Sequence, residues 1–179
     1  MRKLSEIKNI HAGKPAAILG GGPSLRADME RLPADCVKFA VNDHAFHIGV
    51  QPDYLVMMDD PSIKPELERL AQGGPYTRVN ELLAHTDIDL RGVPRPTART
   101  GIFTAWLALY LGCMPVLLCG MDLYQGAQKY CHPHDDFMGD KPIYNEPVEK
   151  LMNDWATLKR YKGHKRIQVM SGPLMEVFK

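Results

Sequence analysis

The stretch Ala16-Ala17-Ile18-Leu19-Gly20-Gly21-Gly22-Pro23-Ser24-Leu25 constrains the fold more than any other part of the chain. A short apolar run ends in three glycines, and a proline, a serine and a helix start follow. Glycine lets backbone pass close to a bound group because it has no Cβ and tolerates positive φ. The first N–H groups of a helix lack internal partners, and the helix dipole favours negative charge there, so the arrangement suits an anion. Ser24 is of the type that caps a helix N-terminus. The spacing is neither the dinucleotide fingerprint, since Leu25 stands at the last glycine position, nor a Walker A loop, since no Gly-Lys-Ser/Thr follows. A plain β–α turn without a ligand is the alternative reading.

Further along, apolar runs and helix-like segments alternate. Strands are expected at Pro15–Leu19, Cys36–Val41, Tyr54–Met58, Pro115–Cys119 and Arg166–Met170, with shorter ones near Thr77–Val79 and Ile88–Val93. Helices are expected at Leu25–Arg31, Ala45–Ile48, Pro65–Ala71, Ile102–Leu111 and Pro147–Tyr161, and a final turn after Ser171. Thr100 reads as the N-cap of the fourth helix and Gly112 as its C′ residue. That helix is apolar almost all round, so it is expected to lie buried against a sheet. Residues 1–14 are polar and basic and read as a short helix or a loose lead-in, and 125–146 as a long polar loop of the length that lids have. The alternation predicts an α/β, Rossmann-like, doubly wound and mostly parallel sheet with helices on both faces. At 179 residues it forms one domain, 1–179.

Composition narrows the classes. Net charge is +1, which argues against a broad nucleic-acid-binding or polybasic membrane surface. No apolar run reaches the roughly 20 residues of a membrane span. Met1-Arg2-Lys3-Leu4-Ser5-Glu6-Ile7 has no apolar signal-peptide core, so a cytoplasmic location is expected. Cys36, Cys113, Cys119 and Cys131 have no CxxC spacing and read as reduced thiols, three of them in or beside apolar runs.

In doubly wound sheets, ligands bind beyond the carboxyl ends of the strands. Four polar clusters fall there: Gly20–Ser24, Asn42–His44, Asp59-Asp60 and Gly120–Tyr124. Arg99-Thr100-Gly101, at the start of the buried helix, joins them on topological grounds. These residues are expected to converge in space. Individually, Asp59 or Asp60 could cap the next turn or meet a ribose, a base or Mg2+. Asp122 and Asn42 could serve a nucleotide or close turns of their own. Tyr124 and Tyr130 could stack on a base or sugar, or pack beneath the loop. Met57, Met58, Trp106 and Trp155 read as core. His132, His134, Asp135 and Asp136 have donor types that suit several metals, but a loop presets no geometry, so no metal site is assigned.

In this order the clusters resemble a known group. Gly20-Gly21-Gly22-Pro23-Ser24-Leu25 is similar to the Gly-x-Gly-Pro-Ser-Leu of bacterial lipooligosaccharide sialyltransferases, flagellin-modifying motility accessory factors and archaeal 6-hydroxymethylpterin diphosphokinases. Asn42, then Thr100-Gly101 with its apolar helix, then Gly120-x-Asp122-x-Tyr124, resemble the group's further signatures. The resemblance covers roughly residues 16–126 in pieces and implies nucleotide binding. By the sialyltransferase pattern, Gly21, Gly22, Pro23 and Ser24, with Gly20, would lie along a phosphate. Asn42, Thr100 and Gly101 would contact a CMP-activated sugar, with Arg99 beside a family arginine. Asp122 would serve the nucleotide end. The base would be a histidine beyond the Gly-x-Asp signature, here His134 or His132.

Three functions follow from this reading. The first is transfer of a CMP-activated nonulosonic acid to a hydroxyl, with no required cofactor. The second is a pterin diphosphokinase using ATP and Mg2+, in which Asp59 and the acidic loop matter more. The third is a nucleotide-binding domain without catalysis. The partner is a small nucleotide or nucleotide-sugar in each case. A homo-oligomer is conceivable through an apolar face on the last helix.

Overall fold

The computed structural model describes residues 1–96, 99–132 and 146–179. Its centre is a sheet of six strands, all parallel: β2 (Ala16–Leu19), β3 (Val37–Val41), β4 (Tyr54–Val56), β5 (Thr77–Val79), β7 (Val116–Cys119) and β8 (Ile167–Val169). The spatial order is β5-β4-β3-β2-β7-β8. The chain therefore steps outward from β2 in one direction, then returns to β2's other flank with β7. This reversal between β2 and β7 is the topological switch point, where a crevice opens between diverging connections. In-register pairs such as Leu19↔Ala40 and Leu19↔Cys119 bring the ends of β2, β3 and β7 level.

Side chains alternate across the sheet because a strand's period is two. Ala16 and Ile18 face one core with α4 (Thr100–Tyr110), α5 (Val148–Ala156) and the carboxyl terminus. Ala17 and Leu19 face a second core with α1 (Leu25–Met29), α2 (His44–His47) and α3 (Pro65–Ala71). Strands covered on both faces explain the unbroken apolar runs. Helix α4 is buried over most of its circumference, from Ile102 to Leu109. It ends in a Schellman motif: Gly112, at φ +88, donates to the Leu109 carbonyl at 3.1 Å, and Cys113 donates to that of Ala108 at 3.0 Å. The four cysteines are free, and three are buried. No described helix is long and apolar enough to cross a membrane.

Several expectations need correction. Of the two readings of the amino terminus, the helix is the nearer, with a 3-10 turn over Leu4–Ile7, but the strand before it was not expected: β1 (Arg2–Lys3) pairs in parallel with β6 (Ile88–Asp89), apart from the main sheet. Leu4 and Ile7, one turn apart, are buried beneath it. The strand expected over Ile88–Val93 stops at Asp89, where its carboxylate takes hold of Arg91. Helix α1 ends at Met29, short of Arg31. Thr100 begins α4 as a helical residue, and the N-cap position belongs to Arg99. The apolar face of α5 is no docking surface, since Leu151 and Trp155 point into the core. Asn145, near the expected cap of the helix at Pro147–Tyr161, lies outside the described residues.

Candidate functional site

The glycine turn is tight because other parts of the protein press against it. A Cβ on Gly20 would come within 2.5 Å of the Gly120 carbonyl, and one on Gly21 within 2.7 Å of the His44 ring. One on Gly22 would lie 2.0 Å from Asp122 Oδ2. None of the three has positive φ, so crowding, not conformation, requires glycine. Gly22 N–H donates to the Gly120 carbonyl at 2.8 Å, closing the crevice floor between β2 and β7.

Ser24 does not cap α1. Its backbone N–H and its hydroxyl both donate to Asp122 Oδ2, at 3.0 and 2.9 Å. The anion position at this helix start therefore holds the protein's own carboxylate. Beneath it, the fully buried Asp28 accepts from Gly120 N–H at 3.0 Å, Ser24 Oγ at 3.1 Å, Ser171 Oγ at 2.6 Å and Arg31 at 2.6 Å. One carboxylate thus ties the turn after β2 to the ends of β7 and β8. Asp28 was not singled out in the sequence. Its position four residues after Ser24, on the inner side of the first helical turn, was the available signal.

The other strand ends are strained. Asn42 at φ +54, Leu123 at +51 and Tyr124 at +58 are non-glycine residues in left-handed conformation. Such conformations cost about 1–2 kcal/mol each and persist where surroundings impose them, often at ligand sites. Asn42 Oδ1 is buried and has no hydrogen-bond partner among the described residues. Of the two aspartates after β4, Asp60 caps a 3-10 turn by accepting from Ser62 N–H at 3.0 Å, whereas Asp59 lines the cavity. The two readings of this pair thus fall to different residues.

These strand ends and the start of α4 enclose a cavity of about 600 Å³. That lies within the range of small-molecule sites. Gly20, Gly21, Gly22 and Asn42 line it, with Asp59, Arg99, Thr100 and Gly101 from the middle of the chain, and Gly120, Asp122 and Tyr124 after β7. Pro23 and Ser24 do not line it, nor does His132, and His134 lies outside the described residues. Met58 and Trp155, expected as core, contribute to its wall.

Arg99 is not a free cation: Nε donates to Asp154 at 3.0 Å, and the other end of the guanidinium pairs with Glu146. Lys129 differs. Its ammonium donates to the Tyr124 carbonyl at 2.7 Å and has no carboxylate partner among the described residues. At the start of α4 the Arg99 side chain, in the N-cap position, does not cap the helix.

The Asn42–His44 cluster meets Tyr130 and His132, the latter expected as a base by the resemblance. Asp43, at the start of α2, is buried, pairs with Lys64 and accepts from His47 Nε2 at 3.1 Å. Burial alone would raise its pKa, but Lys64, His44 and His47 together hold it well below the usual carboxylate range. His44 lines the cavity, and its Nδ1 is 3.0 Å from Nε2 of His132. The His132 ring stacks on His47 with centroids 4.0 Å apart. Tyr130 lies 5.3 Å from His44, also centroid to centroid. Among the described residues, no group of three His, Cys, Asp or Glu side chains is arranged to hold a metal ion.

The fold is that of parallel α/β proteins with a crevice at the switch point. Two solved structures are similar to it. One is the MAf glycosyltransferase from Magnetospirillum magneticum AMB-1, at 15% identity and a TM-score of 0.56, matched over 87% of this chain and 32% of that one. The other is the sialyltransferase CstII from Campylobacter jejuni, solved with the substrate analogue cytidine-5'-monophosphate, at 18% identity and a TM-score of 0.55, matched over 89% of this chain and 80% of that one. This chain therefore spans about a third of the MAf protein's length. No protein-family model matches the chain, and no curated protein matches it in sequence.

Proposed function

We propose that the cavity binds a CMP-type nucleotide or nucleotide-sugar and that the chain is a glycosyltransferase-like domain using a CMP-activated sugar. The observation that carries this reading is the cavity at the switch point, walled by eleven of the residues singled out in the sequence. The fold shared with a sialyltransferase solved with CMP supports the choice of nucleotide.

In this reading the phosphate does not lie on the glycine turn, where Asp122 already occupies the anion position. It faces the start of α4, where the N–H groups of Thr100, Gly101 and Ile102 lack intrahelical partners. Lys129 supplies the positive charge. Asn42 Oδ1 accepts from a hydroxyl or amino group of the ligand, which relieves its missing hydrogen bond. Glycosyl transfer then needs stabilisation of the leaving phosphate, a base for the acceptor hydroxyl and exclusion of water. No metal is required.

A thermal-shift titration with CMP, CDP, ATP and GTP, each with and without Mg2+, tests this. A ligand at ~100 times its Kd adds about 2.7 kcal/mol to stability. A metal-independent shift with CMP or CDP is expected. A shift only with ATP or GTP plus Mg2+ would favour the diphosphokinase reading, and binding of CMP without turnover of any CMP-sugar would favour a purely binding domain. No shift with any nucleotide overturns the proposal.

A further inference from the structure

The formal charge of +1 averages over an uneven distribution. Five of the chain's 22 lysines and arginines fall at Lys159, Arg160, Lys162, Lys165 and Arg166, and none of its 21 aspartates and glutamates lies between Asp154 and Glu176. The rest of the chain is net acidic. The basic run links α5 to β8 through two 3-10 turns, Thr157–Arg160 and His164–Arg166, joined at Gly163 with φ +91. Lys159, Arg160, Lys162 and Lys165 are exposed, and none of them has a carboxylate partner among the described residues. Arg166 is engaged: Nη1 donates to the Cys113 carbonyl at 3.2 Å, just beyond the end of α4.

The fold adds to this run. The register pairs Ala16↔Val116 and Val116↔Ile167 set the starts of β2, β7 and β8 level on the amino edge of the sheet. The residues that precede these strands, Lys14, Met114 and Lys165 among them, share that edge. Met114 N–H donates to the Lys14 carbonyl at 2.7 Å, and Asn9 and His11 N–H donate to the carbonyls of Tyr110 and Leu111 at 3.2 and 2.9 Å. Segments 8–14, 110–115 and 159–166 thus meet. Lys8 and Lys14 are exposed there, and so are two apolar side chains, Met114 at 58% and Ile10 at 43%. Tyr161 is turned inward, its ring 6.2 Å from that of Trp106, centroid to centroid. The acidic residues of this edge, Asp35 and Asp53, precede β3 and β4, on the far side of β2 from β8. The cavity lies at the opposite end of the sheet, beyond the carboxyl ends of the strands.

We propose that this edge docks on an anionic lipid membrane, with Lys14 and the exposed cations of residues 159–166 facing the lipid phosphates and with Met114 and Ile10 entering the headgroup layer. A negatively charged bilayer attracts clustered lysines and arginines within about a Debye length of its surface. Exposed apolar side chains beside such cations add buried area, and lysine stems lie along apolar surface while the ammonium stays in water. A single-stranded nucleic acid fits less well, because its bases gain from exposed rings to stack on, and Tyr161 is packed against Trp106. The attachment is peripheral, since no described helix can cross a membrane. Docked in this way, the protein turns its cavity away from the bilayer. The proposal does not depend on what the cavity binds.

The test is co-sedimentation of the whole chain with vesicles of phosphatidylcholine, alone or with about one-third phosphatidylserine. At about 0.1 M salt, binding to the mixed vesicles and none to the neutral ones is expected, with a steep fall as salt rises. Each cation near an anionic surface contributes about fivefold in affinity, so the triple variant Lys159→Gln, Lys162→Gln, Lys165→Gln should lose roughly a hundredfold. The control triple variant Arg26→Gln, Arg69→Gln, Arg91→Gln removes as much charge from other surfaces and should stay within about threefold of the unmodified chain. Absence of binding to the mixed vesicles overturns the proposal. So does an equal loss in the two triple variants, which would assign the attraction to net charge. Binding of a single-stranded oligonucleotide without binding of the mixed vesicles overturns it in favour of a nucleic-acid surface. Should the first triple variant fail to fold, Arg160→Gln and Lys162→Gln are measured singly. Each should lose about fivefold, and no loss in either overturns the proposal.

Discussion

Two helix starts face the same cavity, and they have been put to different uses. At α1, the turn Gly20–Ser24 is closed by the protein itself: Asp122 takes the Ser24 N–H and hydroxyl, and Asp28 fastens the whole to β7 and β8. At α4, Thr100 and Gly101 line the cavity, and Arg99 in the N-cap position leaves the helix start uncapped by its own side chain, which is turned onto Asp154 and Glu146. The glycine-rich turn looks more like an anion site in sequence, yet its anion is internal. In the proposed reading, the plainer Thr-Gly start is the one that meets the ligand. A glycine-rich turn establishes close approach of something, and only the structure says of what.

Substitutions can break or sharpen this contrast. The largest effect is expected at Asp28. Asp28→Ala removes a buried carboxylate with four partners and should cost about 3–5 kcal/mol, read by urea unfolding. A loss under about 1 kcal/mol would mean that the α1 side is not locked as described. Next is Asp43, a further helix start with an internal partner. Asp43→Asn should cost about 2 kcal/mol near neutral pH, since it strands Lys64 and His47. Its pKa is depressed from an ordinary 3.8 in the folded state. The stability is therefore fully present above that value and is lost as pH falls through it. The gap between unmodified chain and variant should stay level from about pH 5 to 8 and narrow below about pH 4.

The direct comparison pairs two glycines. Gly22→Ala should destabilise by about 1–3 kcal/mol, because its Cβ would meet Asp122 and the Gly120 carbonyl. The Cβ of Gly101→Ala meets the Trp155 ring at 3.2 Å and Met121 at an ordinary contact distance of 3.6 Å, and the change gains helix propensity, so stability should stay within about 1 kcal/mol. CMP binding, measured by calorimetry, should nonetheless weaken. Equal stability losses for the two would erase the contrast. The smallest effect is at Lys129. Lys129→Met should weaken CMP about tenfold, or ~1.4 kcal/mol, and flatten the salt dependence of binding without lowering the melting temperature.

The ends of the strands were legible because each apolar run stops at a polar cluster, and the parallel order then brings those clusters together. Partner choice was not legible. Ser24 suited an N-cap by residue type, but its hydroxyl found a carboxylate 98 positions away. No local rule predicts a pairing at that separation. Arg99 joined the cluster on topological grounds, but Asp154 of α5 and Glu146 before it hold its guanidinium. His44 was part of a noted cluster, yet its ring nitrogen meets that of His132, 88 positions on. At the amino terminus, surrounding charges masked the pair Leu4 and Ile7, whose spacing alone marked a buried face.

The pairing of β2 with β7 joins Ala16 to Val116. Closing that long span costs chain entropy that grows slowly with length, and such contacts form late because little repays them until both strands are in place. The cavity lies on this seam. It is therefore a product of the last long-range closure in the sheet's centre, not of any local unit. During synthesis, a chain emerging from the ribosome gains the cavity only once β7 is free to dock. A fragment ending before Val116 should keep β2, β3 and β4 adjacent in sequence yet bind no nucleotide.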